Sequence, residues 1–406
     1  MRPPTDYTSI DKDDFECKVL SHLGCRRVDY ENLSEEDLDL LLAYWYMMQH
    51  EVMMHKQASS HIGKSIPPVY VDFYSSLSLG AVVFPRQWGG YWMAVADRSH
   101  AAIAIAFSQL FRHRKLFLDI GDASVESNEA PIIILNSKVV VDKSATELQP
   151  WESTFYPFDN TNQIIRLVQT LKHPNDPTRQ GAYLLCLALF YHFLTFHEMG
   201  HIYLNHFNIL RSQGELENNL AFYEISDSPP PKCLTASMSH LLELEADQWA
   251  MYQMLGKLKG SGNLLQINHN IGKDDFDLNN PVIQLRLFFI VHTVFSAIFA
   301  NKFELKQYNK MRHPHPDVRF HYLFAQFQQH TDLWVKTGLI TETVVEQIYE
   351  AIPMIVSDTH SLRDFLTISQ SSSEKNKLKS YSNKEYLKEI QIQIETVSHS
   401  LDRIRH

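Results

Sequence analysis

Cysteine is scarce in this chain. Four occur among 406 residues, Cys17, Cys25, Cys186 and Cys233, and they show no paired metal-binding spacing. Cys186 also sits in an apolar segment. This usage fits a reducing compartment rather than a disulfide framework. Positive charge is short as well. The formal net charge is −10, and there is no basic run and no basic stretch interleaved with aromatics. That argues against nucleic acid as the main partner. The amino terminus, Met1-Arg2-Pro3-Pro4-Thr5-Asp6-Tyr7, leads into acidic residues instead of an apolar stretch, so no secretory signal is read. Two apolar runs, 181–196 and 287–300, fall short of the roughly 20 residues a membrane span requires. They read as buried core helices, which implies no membrane span and a cytoplasmic protein. Internal repeats are missing. Ile62-Gly63-Lys64-Ser65 is no phosphate-binding loop, because Ala58 stands where its first glycine belongs.

Apolar residues make up 44% of the chain, enough for a substantial core in one large domain or two ordinary ones. Residues 9–60 are helical in pattern, with Ser34 and the following acids as a helix start. Strands are expected at Val69–Tyr74, Ala81–Phe84, Tyr91–Val95, Pro131–Leu135 and Lys138–Val141, with a helix over His100–Leu118 between them. From 161 to about 365 the chain reads mostly helical, interrupted at 172–177, 226–232 and 259–263. A serine-rich linker near 369–377 precedes a polar periodic helix over 383–404 that is able to dock on the body or on a second subunit. Four segments follow: 1–65 helical, 66–145 β-containing, 146–365 a helical core, and 366–406 the linker and C-terminal helix.

The chemistry is concentrated in His197-Glu198-Met199-Gly200-His201. On a helix, residues four apart sit one above the other, about 5–6 Å apart at Cβ, so one zinc ion can take both imidazoles. Glu198 then lies beside the metal, placed to accept a proton from a water. This is the HExxH pattern of zinc metallopeptidases. With 21 histidines present, chance alone would give the pattern in on the order of several per cent of such chains. The apolar helix that carries it raises its weight.

An open zinc site needs a third protein ligand. Leu204 and Phe207 stand where a metzincin requires glycine and histidine, and His206 is one residue out of register, which leaves it as a polar residue near the helix end, with a ligand role as the lesser alternative. Glu243 and Asp247, spaced i,i+4 on a later helix, are the better source. Glu243 would complete the shell, and Asp247 would accept the other ring N–H of a ligand histidine. Glu245 points about 200° away from Glu243 around the helix. The plain alternative for this stretch is a solvated acidic face.

These residues resemble the gluzincin metallopeptidases, and most of all the branch that holds the membrane HtpX and CAAX-prenyl proteases. That branch reads HExxH, then Glu-x-x-Ala-Asp, then His-Pro followed by arginine. Here the blocks stand in the same order: His197–His201, Glu243–Asp247, and His313-Pro314-His315-Pro316-Asp317-Val318-Arg319. The resemblance implies His197, His201 and Glu243 as zinc ligands, Glu198 as general base, Asp247 as their partner, and His313 and Arg319 near the cleft as catalytic residues. It also implies an α+β fold: a mostly helical zincin-like core with a small mixed or antiparallel sheet ahead of the HExxH helix. The third block divides evenly between an active-site role and a structural one, since Pro316 suits the first turn of a helix. Its doubled His-Pro leaves His313 and His315 both open. A looser likeness is to the soluble Lit-type peptidases of bacterial phage exclusion.

The leading expectation is a soluble zinc endopeptidase acting on protein or peptide, and the Lit-type likeness implies a role in antiviral defence. The competing one is a non-catalytic zinc-binding interaction or sensor module on the same fold. A third has no metal, with both histidines bonded to backbone. Residues 76–84 and the strand after them either offer an edge for an extended substrate or form an ordinary hairpin. The proline-rich stretch at 226–232 is a place for a flap.

Overall fold

The computed structural model describes residues 26–28, 35–61, 67–75, 80–86, 89–126, 132–135, 138–141, 173–214, 222–223, 234–261, 280–298, 313–337 and 341–366, with Lys388 and Ile392. The flap stretch, the serine-rich linker and all but two residues of the helix read over 383–404 lie outside the described residues.

The fold is α+β and mostly helical. Its sheet runs in the order β1-β2-β4-β3-β7. The strands are β1 (Arg26–Arg27), β2 (Val69–Ser75), β3 (Ala81–Pro85), β4 (Tyr91–Ala96) and β7 (Phe222–Tyr223). β2 and β4 pair in parallel, and the other pairs are antiparallel. A separate hairpin joins β5 (Ile132–Leu135) to β6 (Lys138–Val141). The run Val69–Tyr74 is β-branched and aromatic, and the sheet buries most of both its faces. Between β3 and β4 the turn needs glycine. Gly90 has φ +83°, and a Cβ there would lie 2.4 Å from the Pro68 carbonyl oxygen, which accepts the Tyr91 N–H at 2.8 Å. The five expected strands are thus present, but two two-residue strands were not foreseen. β1 interrupts the region read as helical, because Arg26 and Arg27 pair with Ser75 and Tyr74 on the outer edge of β2.

Eight helices are described: α1 (Glu35–His61), α2 (Asp97–Phe111), α3 (Pro177–Tyr203), α4 (His206–Ser212), α5 (Ala236–Ser261), α6 (Pro281–Ile298), α7 (Pro316–Lys336) and α8 (Glu342–Leu366). α3 is the centre. Asp176 caps it by accepting the Arg179 N–H at 2.9 Å, and Pro177 opens its first turn. α1, α2, α5 and α6 surround it and α3 packs on β3, so it is apolar nearly all round. By length and composition this 27-residue helix is able to cross a membrane, longer than its apolar run alone; 89% of its most apolar window is buried inside the fold.

α2 ends at Phe111 instead of continuing to Leu118. The buried Arg179 guanidinium reaches down from α3 and donates to the carbonyls of Phe111, His113, Leu116, Phe117 and Ile120. A side chain on another helix therefore satisfies groups that a longer helix would bond internally. α5 also differs from expectation, running through Gly260 to Ser261 where a loop was read from Lys259.

Candidate metal centre

α3 carries His197 and His201, and α5 carries Glu243 and Asp247. Two backbones must approach closely to bring these rows together. Gly200, inside the HExxH motif, allows it: a Cβ there would stand 3.1 Å from Ala246 Cα and 3.4 Å from its Cβ. Glycine against alanine at the crossing sets the helix separation that the site requires.

Three donor atoms converge. His197 Nε2 lies 3.3 Å from His201 Nε2 and 3.4 Å from Glu243 Oε2, and His201 Nε2 lies 3.9 Å from the same carboxylate oxygen. Ligands about 2.0–2.1 Å from one tetrahedral zinc are roughly 3.3–3.4 Å apart. Two of the three edges match and the third is somewhat longer. Two imidazoles and one carboxylate make a group that could hold a metal ion, and all three residues are buried. Burial by itself raises the Glu243 carboxyl, but His313, followed by His197 and His201, holds it well below the usual carboxylate range.

Behind His197, its Nδ1 meets Asp247 Oδ1 at 2.9 Å. Asp247 accepts two bonds from Arg319, Nε to Oδ2 at 2.8 Å and Nη2 to Oδ1 at 2.7 Å. His292 Nε2 on α6 is 3.5 Å from Oδ2. Burial again pushes the carboxyl up, and the Arg319 charge with the His197, His292 and Arg319 hydrogen bonds overcomes it, holding Asp247 well below its ordinary value. Burial lowers the His292 ring in turn, more than its bond to Asp247 raises it.

The third block splits by position. His313 Nδ1 lies 3.5 Å from Glu243 Oε2, beside the donor cluster. His315 is the N-cap of α7, its Nδ1 accepting the Asp317 N–H at 3.1 Å. Arg319 sits behind Asp247 rather than at the donor atoms, with its guanidinium carbon 4.8 Å from the centre of the Phe295 ring. Glu198, next in sequence to His197, is 1% exposed.

Several contacts of the neighbouring residues are not legible in the sequence. His206 is fully buried, with Nδ1 2.9 Å from His201 Nδ1 and Nε2 3.4 Å from Glu245 Oε2. Phe222 of β7 stacks on the His201 ring at 4.1 Å between centroids. The edge of β3, read either as a substrate edge or as part of an ordinary hairpin, is paired with β7 at Val82 and Val83. None of these contacts has a local sequence signal. Asn205, with φ +60°, is the nearest thing to one, since it turns the chain at the end of α3.

No curated protein and no solved structure matches this chain. Residues 142–336, just under half of it, match the family model described as Peptidase U49, the family of the Lit-type peptidases, a span that contains all three blocks. With the buried donor cluster inside that span, the match supports a peptidase acting on protein or peptide.

Proposed function

We propose that the chain is a zinc-dependent endopeptidase with His197, His201 and Glu243 as ligands, within the gluzincin pattern. The observation that carries this is the convergence of those three donor atoms within 4.8 Å of one another in the span that matches a peptidase family. Zinc, when bound, supplies Lewis-acid polarisation and makes a water easier to deprotonate near neutral pH.

The chain's own residues do the rest. Glu198 takes the proton from the attacking water and hands it to the leaving amine. His313, whose Nδ1 lies 3.5 Å from Glu243 Oε2, is assigned to stabilise the negative charge that develops on the substrate oxygen. Arg319 is reassigned. Its doubly bonded guanidinium acts on His197 through Asp247, fixing the ring with its Nε2 toward the cluster. A defensive role in phage exclusion rests on the likeness to the Lit-type peptidases alone.

Metal analysis after gel filtration tests the reading. One zinc per chain is expected, and alanine at His197 or His201 should abolish it. A double alanine variant that keeps a tightly bound zinc would refute the ligand assignment. Glu198→Gln should retain the metal and lose most hydrolysis, because a base has gone and the shell has not. A Glu198→Gln protein that binds zinc, does not hydrolyse peptide and still keeps full biological activity would favour the non-catalytic module instead.

A further inference from the structure

The two ligand histidines are held from behind in different ways. His197 meets a carboxylate directly. His201 meets another imidazole, that of His206, at 2.9 Å between the two Nδ1 atoms. Two ring nitrogens that close must be one donor and one acceptor. If Nε2 of His201 is a ligand atom, as the proposed function requires, it carries no proton, so Nδ1 does and donates. His206 Nδ1 then accepts, and its own proton sits on Nε2, 3.4 Å from Glu245 Oε2. The tautomers of both rings follow from a single constraint.

The backbone is built to make this contact. In an unbroken helix His206, five residues after His201, would lie about 140° round the axis from it. Leu204 ends α3, and Asn205 takes a left-handed conformation at φ +60°, ψ +31°, before α4 starts at His206. That reversal folds His206 back beneath His201, where it is fully buried. Asparagine is among the few residues that adopt this conformation readily. On α5, Glu245 is two residues from Glu243 and so faces away from the donor cluster, toward His206.

We propose that His206 and Glu245 are positioning residues for His201: a carboxylate–imidazole relay that fixes the tautomer and ring orientation of the second ligand as Asp247 does for the first. The inference rests on the zinc reading above. Removing either partner should weaken metal binding while leaving the set of ligands intact. Partners of this kind typically change affinity by about 10–100-fold.

The test measures zinc affinity by competition with a chelator on the full chain, with the absorption spectrum of the cobalt-substituted protein as a second readout. His206→Phe keeps the volume and removes both nitrogens, so roughly a 10–100-fold loss of affinity and a shifted cobalt spectrum are expected. His206→Asn keeps a polar atom near the Nδ1 position and should restore part of the affinity. Glu245→Gln should lie between His206→Asn and wild type. Thermal melting of the metal-free proteins separates positioning from general stability, since a merely structural role would lower the melting temperature and leave the affinity of the folded protein unchanged. If His206→Phe unfolds, His206→Asn and Glu245→Gln decide. Wild-type affinity and an unchanged cobalt spectrum in all folded variants would overturn the relay while leaving the zinc site standing. Failure of the wild-type chain to bind zinc would overturn both.

Discussion

Asp247 has a carboxylate buried beyond the reach of solvent, and its charge is tolerated because Arg319 binds both of its oxygens. Such pairs are weak evidence for stability but costly to break from one side. Arg319→Ala should therefore destabilise the fold by about 3–5 kcal/mol, read by denaturant unfolding of the metal-free protein. Asp247→Asn retains shape and should instead lower zinc affinity by about 10–100-fold, read by chelator competition. An Arg319→Ala protein as stable as wild type would show that Asp247 does not depend on it. At this scale the sequence was legible wherever residues share a helix: His197 with His201, and Glu243 with Asp247, are ordinary i,i+4 pairs. His292 was not legible, because it reaches Asp247 from a helix whose sequence says only that it is apolar. His206 was not either, since its position depends on one left-handed residue.

At the scale of elements, the site is the crossing of α3 and α5, and Gly200 sets how close they come. Gly200→Leu forces the helices apart where Ala246 now sits. Overpacking of this kind costs about 1–3 kcal/mol, and moving α5 carries Glu243 away from the two histidines. Lower stability together with weaker zinc binding is the expected result, and loss of stability with unchanged affinity would show that α5 has not moved. A second tie holds the same bundle. Glu51 on α1 lies 2.9 Å from His192 Nδ1 on α3 and pairs with Lys257 on α5. Burial raises its carboxyl, but the His192 hydrogen bond and the Lys257 ammonium outweigh that and bring it to about 2. A carboxyl depressed on folding stabilises fully above its unfolded value near 4.5 and loses that contribution as pH falls through about 2. Glu51→Gln should thus cost roughly 1–3 kcal/mol at neutral pH, with the difference from wild type closing as pH falls from about 4.5 to about 2 in pH-dependent thermal melts. The apolar helices were legible as helices; which of them meet, and the arginine that ends α2, were not, because both are settled by partners distant in sequence.

Across the whole molecule one sheet draws on distant parts of the chain: β1 near residue 26, β2 to β4 over 69–96, and β7 at 222–223. Hydrophobic pattern and turn residues marked the middle strands, but two-residue strands carry no pattern of their own, so the covering of β3 by β7 was beyond the sequence. That covering bears on activity. Glu198, His197, His201 and Glu243 are each no more than 1% exposed, and Phe222 lies on the His201 ring. An extended peptide reaches these atoms only if something moves, and β7 is the smallest described element over them, paired with β3 at two positions and packed through Phe222 on the rings of His201, His206 and Phe207. We expect the chain to cleave generic unfolded substrates such as casein slowly, with displacement of β7 limiting the rate. Phe222→Ala removes the stacked ring. The buried side chain is worth about 1.5–3 kcal/mol, so loss of it should raise the open population and the hydrolysis of a short peptide by roughly tenfold to a hundredfold. The comparison is made on zinc-loaded protein whose thermal melt shows it folded. A rate equal to or below that of wild type would mean that β7 does not close the site, and that substrate enters beside it.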